Sequence, residues 1–470
     1  MSFAVTNSST QAAAELPFDV LSLDFIRDPY PAYHRLRRED PMHWCSLGFY
    51  LASRHADIAF ILRDHRFGKD FGGRLSRSSG DKALEEPVYQ SMQRWMVNQN
   101  PPAHTRLRGL LTKAFSNRSI EDMRPRIQEI VDQTLDQAMA RGRMDLIADF
   151  ARRLPVTVIC DLLGIPENDR QMFFTDGGAG ARLLEPLPVP RAELDSANAG
   201  NIALAEYFQV LLELRRCKPG NDLTTLMARA GQEEARLRDE DLVANLIFLF
   251  GAGHATTVYL IGNALLALYR NPDQLHLLKN NPTLNTAVDE FLRYDSPLQV
   301  TTRTALEDVV VGGMTIKKGE HILCLIGAGN RDPDVYPNPD RLDITRKGVR
   351  PFSFGGGIHF CLGAQLARIE AEIAIGTLLR RLPDLAPDDL EAPDWLPTFV
   401  LRGLKTLPAS WGARPSSSSQ APDFARKGGS EQRFSRMGRE VYAQTPDNWL
   451  GNRRAPRRDG FRTQTGSHIS

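Results

Sequence analysis

Phe352-Ser353-Phe354-Gly355-Gly356-Gly357-Ile358-His359-Phe360-Cys361-Leu362-Gly363 runs straight into a helical pattern that begins at Ala364–Ile369, so a cysteine sits just before a helix start. Helix N-termini lower a thiol's pKa, and consecutive glycines let backbone N–H groups approach a sulfur without side-chain obstruction. Cys361 is therefore expected to be an electron-rich metal ligand. The competing readings are a phosphate-binding loop and an inert buried thiol. Neither a G-x-G-x-x-G pattern nor a Walker lysine accompanies the glycines.

Upstream, Leu242 to Tyr269 runs 28 residues without Asp, Glu, Lys or Arg, long enough to cross a bilayer. Asn245, Gly251, Gly253, His254, Thr256, Thr257 and Asn263 interrupt it, which suits a helix buried on all sides in a large protein better than one in lipid. Helical periodicity also predicts helices over 28–38, 103–115, 123–140, 201–216, 239–270, 283–294 and 363–381. Short strands are expected over 42–46, 49–52, 309–311, 315–316 and 321–325, with Gly312-Gly313 and Lys318-Gly319 as turns. The fold class is mainly α with minor β.

The chain has 470 residues, 58 basic against 57 acidic, for a net charge of +1. That balance argues against a nucleic-acid footprint and for a small-molecule partner. Five cysteines (Cys45, Cys160, Cys217, Cys324, Cys361) form no C-x-x-C pair, so neither a disulfide framework nor a zinc knuckle is expected. The first 26 residues lack the Lys or Arg that a secretory or transit signal would require, and a cytoplasmic protein without a membrane span is expected. Residues 1–18 read as a flexible N-terminal segment, 19–412 as the catalytic domain. Residues 413–470, with Ser416–Ser419, Gly428-Gly429 and the Arg453/Arg454/Arg457/Arg458 cluster, read as a disordered basic tail.

Phe354-x-x-Gly357-x-x-x-Cys361-x-Gly363 resembles the haem-binding signature of the cytochrome P450 family, and the resemblance spans roughly Asp19 to Trp411. It implies the family's fold, with haem b between a long central helix and the Cys361 loop. Glu290-Phe-Leu-Arg293 resembles the family's E-x-x-R, whose i,i+3 spacing puts both side chains on one helix face. The family's third member would be Arg341, here followed by Leu342 in place of the usual aromatic. Ala252-Gly253-His254-Ala255-Thr256-Thr257 resembles the oxygen-activation motif: Gly253 would permit a local opening of the helix, and the Thr256 hydroxyl would relay protons to dioxygen. The usual acid before that threonine is Ala255. Proton delivery would then rest on Thr256, on water or on His254.

The resemblance also implies haem-propionate contacts from His104 and Arg108, from Arg303, and from His359. The closest likeness is to soluble bacterial members, which take electrons from a ferredoxin and its reductase as separate proteins. A monomeric monooxygenase acting with O2 on a small apolar substrate (terpenoid, polyketide, fatty acid or aromatic) is expected. Segments 74–97, 174–194, 246–251, 298–302 and 399–400 would choose that substrate. Three rivals stay open: a hydrogen-peroxide-dependent peroxygenase, against which Thr256 speaks; a non-catalytic haem sensor; and a haem-free enzyme using Cys361 as nucleophile.

Overall fold

Residues 17–20, 22–45, 47–174, 178–233, 237–281 and 284–412 are described by the computed structural model; the expected tail 413–470 and residues 1–16 lie outside them. The uncharged stretch forms one helix, Asp239–Arg270, with the bounds the periodicity predicts. Among the described residues it is the one helix long and apolar enough to cross a membrane. Here it is the central beam: the helices Arg153–Leu163, Arg191–Cys217, Leu284–Tyr294 and Ala364–Arg381 all pack on it. Asp239, Glu240 and Asp241 in its first turn and Arg270 in its last complement the helix dipole.

Two apolar cores divide this helix between them. Leu242, Leu246, Leu249 and Phe250 join Ile159, Leu163, Phe208 and Leu212. Val258, Ile261, Leu265 and Leu268 join Ile130, Leu135, Phe291, Ile369 and Leu378. The six residues where one core ends and the other begins, Gly251 to Thr256, are exposed or half-buried in the middle of an otherwise buried helix. A helix has no reason to break its burial there unless a space opens beside it.

The largest sheet has five strands, ordered Met42–Cys45, Phe49–Ala52, His321–Leu325, Val300–Ala305 and Phe67–Gly68. Phe49–Ala52 runs parallel to His321–Leu325, and the other pairings are antiparallel. Strand Val300–Ala305 escapes the sequence reading because Thr301, Thr302, Arg303 and Thr304 carry no apolar alternation. The helix Arg153–Leu163, which holds Pro155 and four β-branched residues, escapes it too. The expected flexible segment needs a shorter boundary: Phe18 is buried, stacked 4.8 Å from Phe25 and in contact with Tyr33 and Phe399.

Candidate active site

Two one-turn segments, Phe352–Phe354 and Gly357–His359, carry the loop toward Cys361. Gly355 (φ 71°) and Gly357 (φ 63°) lie in the left-handed region, and a Cβ on Gly357 would stand 2.3 Å from the Leu62 carbonyl oxygen. The Cys361 N–H donates to the Phe354 carbonyl at 2.8 Å and Phe360 N–H to Gly357 at 3.1 Å, closing the loop around the sulfur. Phe354 is buried under the Arg368 guanidinium, 4.5 Å above its ring. Gly363 is the N-cap of helix Ala364–Arg381, and the carbonyl of Gly363 accepts from Ala367 N–H at 2.9 Å.

Cys361 is accessible, but from within a recess ringed by protein, and the two facts act together. Burial pushes the thiol's pKa up, while the Gly363 N–H, Arg108 and Arg368 pull it down; the net direction is up. The helix-start effect is thus present but outweighed, and a positive metal is what would hold the sulfur as thiolate. Ile358 and Phe360 are both large, apolar and exposed beside it, at 52% and 42%.

Cations converge on this loop, and among the described residues no carboxylate is bonded to them there. Arg108 Nη2 donates to the Phe360 carbonyl at 2.8 Å, and Arg303 Nη2 reaches the Gly356 carbonyl at 3.4 Å. The His104 and His359 rings lie 4.3 Å apart, each with Nε2 buried and unpartnered. Burial, then Lys69, Arg303, His104 and Arg108, push His359 down to about 2; burial, then Arg108 and Arg303, lower His104. Sequence reasoning missed Lys69. Its Nζ donates to the Thr302 carbonyl at 2.9 Å, and its backbone is pinned by Asn100 through bonds of 2.8 and 2.7 Å. Three cations, Lys69, Arg108 and Arg303, beside two histidine Nε2 atoms that are buried and unpartnered fit a dianionic ligand, and the two carboxylates of a haem supply that charge.

On the long helix the Thr256 hydroxyl donates to the Ala252 carbonyl at 3.3 Å, a long bond that is readily exchanged. The helix runs unbroken through Gly253; the missing side chain there lets Ile159 approach, since a Cβ would stand 2.8 Å from its Cδ1. His254 Nδ1 pairs with the Phe250 carbonyl at 2.7 Å, its ring lies 4.8 Å from that of Phe250, and burial lowers its pKa. Ala255 leaves the window without an acid. A buried acid the sequence reading missed is Glu370, 1% exposed, on the helix that follows Cys361. Burial raises its carboxyl well above the usual range, eased only by the Thr257 hydroxyl.

The Glu290–Arg293 pair forms as expected, fully buried, with bonds of 2.7 and 2.9 Å. Its third member is corrected. Arg341 offers only its carbonyl, at 3.2 Å from Arg293 Nη2, and its side chain is exposed. The second guanidinium on Glu290 belongs to Arg346, at 3.2 Å. Arg293 also donates to Pro339 and Asn330 carbonyls, locking the segment that leads to the ligand loop.

Comparison with known proteins agrees with this geometry. The family model "Cytochrome P450" matches residues 273–402. The chain is 39% identical over 390 residues to the putative cytochrome P450 133B1 of Xylella fastidiosa, covering 83% of this chain and 97% of that one. It is 40% identical over 403 residues to the vitamin D(3) 25-hydroxylase of Pseudonocardia autotrophica, covering 84% and 97%. The crystal structure of P450BioI in complex with hexadec-9Z-enoic acid ligated acyl carrier protein superposes with a TM-score of 0.76 at 36% identity, covering 83% and 99%. With the cysteine loop, the cation cluster and the accessible window in place, the chain belongs to the cytochrome P450 family: a monooxygenase that uses O2 and a redox partner, with haem iron held by the thiolate of Cys361.

Proposed function

We propose that the protein oxidises an apolar small molecule in the cytoplasm, as a monomer, with electrons delivered by a separate ferredoxin and its reductase. The observation that carries the reading is the accessible Gly251–Thr256 window between two apolar cores on the long helix. When bound, the haem supplies the oxidising power drawn from O2 and two electrons. This chain's residues supply charge, shape and protons. Arg108, Arg303, Lys69, His104 and His359 would hold the propionates, and Phe354 and Gly363 would shape the thiolate's loop.

Gly253 lets the helix close onto Ile159, and the small exposed side chain of Ala252 leaves room for a reactant to lie against the helix. The Thr256 hydroxyl, held by the Ala252 carbonyl over a long 3.3 Å bond, would be free to turn into the window and hold a proton there. His254, neutral and tied to Phe250, holds the turn rather than delivering the proton. Glu370, kept protonated by burial beside Thr257, is the proton store that takes the place of the acid absent at Ala255. An apolar substrate suits segments such as the one holding the half-buried Phe248, which tilts against Trp95 at 5.3 Å. The relatives include a vitamin D(3) hydroxylase and a protein holding a fatty acyl chain, both apolar ligands. Turnover of an apolar panel with NADPH, a surrogate ferredoxin and its reductase tests the reading. Product that needs both electron proteins supports it; product formed only with added hydrogen peroxide overturns it.

A further inference from the structure

Arg368 belongs neither to the cations grouped with Lys69 nor to the lock on Glu290, yet it touches the surroundings of the ligand loop at two points. Its guanidinium stands 4.5 Å over the Phe354 ring, and its Nη1 donates to the Ala364 carbonyl at 3.4 Å. Phe354 is buried, its carbonyl accepts from the Cys361 N–H at 2.8 Å, and its ring meets that of Phe360 edge-on at 6.2 Å. Ala364 is the first residue of the helix that follows Cys361. The charge is thus fixed between the residue whose carbonyl holds the Cys361 backbone and the residue three positions beyond the sulfur. Asp289, on helix Leu284–Tyr294, anchors it by accepting from Nε at 2.8 Å.

A fixed positive charge favours whichever redox state carries the more negative charge. With haem bound, reduction of ferric to ferrous iron adds one electron to a centre that already carries the Cys361 thiolate, and the groups around the sulfur tune that step. Two other arginines near the loop are offset. Arg108, on the Phe360 carbonyl at 2.8 Å, would meet a propionate. Arg124, which lines the same recess as Arg368, binds both Glu121 at 2.5 Å and Glu372 at 3.2 Å. Arg368 has a counter-charge too, but Asp289 bonds Nε, at the base of the guanidinium, and leaves Nη1 and the face of the cation to Ala364 and Phe354. The pair acts as a dipole with its positive end on the loop.

We infer that Arg368 is a positioning residue for electron uptake: held over Phe354, its charge raises the reduction potential of the iron bound by Cys361. The effect needs no substrate and no electron partner. The potential of the substrate-free, haem-loaded full chain should be measured by spectroelectrochemical titration at fixed ionic strength, for the native protein, Arg368→Met, Arg368→Lys and the double variant Arg368→Met with Asp289→Asn. Arg368→Met keeps contact with the ring and loses the charge. At the native midpoint its ferrous-to-ferric ratio should fall about threefold, or ~30 mV at about 59 mV per tenfold. The Arg368 side chain is 28% exposed, and water holds the effect to that size. Arg368→Lys, which retains a cation, should keep at least half of the native advantage. The double variant should show most of the same fall, so that an unmasked Asp289 is not its cause. If Arg368→Met does not hold haem, Arg368→Gln, which keeps a donor for Asp289, takes its place with the same expectation. An unchanged potential without the charge overturns the inference. So does an equal fall in Arg368→Lys, which would make packing on Phe354 the cause, and so does a native potential in the double variant. Lost stability or haem content with the potential unmoved would make Arg368 a tie between two helices and nothing more.

Discussion

Thr256 shares its hydroxyl with the Ala252 carbonyl over 3.3 Å, and no acid precedes it. Thr256→Ala should therefore let electron consumption continue while product per electron falls roughly tenfold, measured as product formed against NADPH consumed. Glu370→Gln should lower the same ratio with less effect on substrate binding; an unchanged ratio would remove Glu370 from proton delivery. Gly357→Ala is the sharpest backbone test, because a Cβ there meets the Leu62 carbonyl at 2.3 Å on a positive-φ residue. We expect a large loss of haem content by pyridine haemochromogen assay, although Cys361 is untouched. The sulfur, its glycines and Thr256 were legible in the sequence because each lies in a short local motif. Lys69 and Glu370 were not, since a lone Lys or Glu in an amphipathic stretch reads as a solvated face until the fold shows what surrounds it.

Helix Leu284–Tyr294 carries a lock whose parts differ greatly in worth. Glu290 and Arg293 are both fully buried, and truncating Arg293 leaves a carboxylate short of its main partner. Arg293→Ala should cost about 3–5 kcal/mol by chemical denaturation, with loss of haem. Arg341→Ala should cost under about 0.5 kcal/mol, because its side chain is exposed and its carbonyl survives the substitution. Arg346→Ala should fall between them. The reverse ranking of Arg341 and Arg346 would refute the corrected network. The i,i+3 pair could be read from sequence since helix geometry alone brings its members together. Which later arginine closes on Glu290 could not, because it depends on how the irregular stretch 331–350 folds back. The long helix shows the opposite case, its 32 residues announced by an uninterrupted uncharged run with acids at its start. Helix Arg191–Cys217 begins ten residues before its expected start at Asn201, where Ala and Ser dilute the apolar signal.

Across the whole molecule, buried neutral histidines couple stability to pH. His321 is 3% exposed, bonded to Thr304 at 2.7 Å, and burial followed by Arg77 pushes its pKa down to about 4. The unfolded chain takes up this proton near the ordinary value of 6.5 while the folded chain refuses it. Its stabilising effect is thus complete above pH 6.5 and lost as pH falls toward 4, by about 1.4 kcal/mol per pH unit. Denaturation at pH 7 and pH 5 should show that slope in the native protein and a shallower one in His321→Gln. Overall architecture was legible as mainly helical with a small sheet. The gathering of Arg108, Arg303 and His104 around the cysteine loop belongs to tertiary structure and could be named beforehand only through family likeness, and Lys69 was not named at all. The most direct test of the account is the absorption spectrum of the purified, dithionite-reduced protein with and without carbon monoxide. The account predicts that the Soret band moves to the long-wavelength position of thiolate-ligated iron and that Cys361→Ala abolishes this. A band at the position of histidine-ligated haem, or no haem bound when cofactor is plentiful, would contradict it.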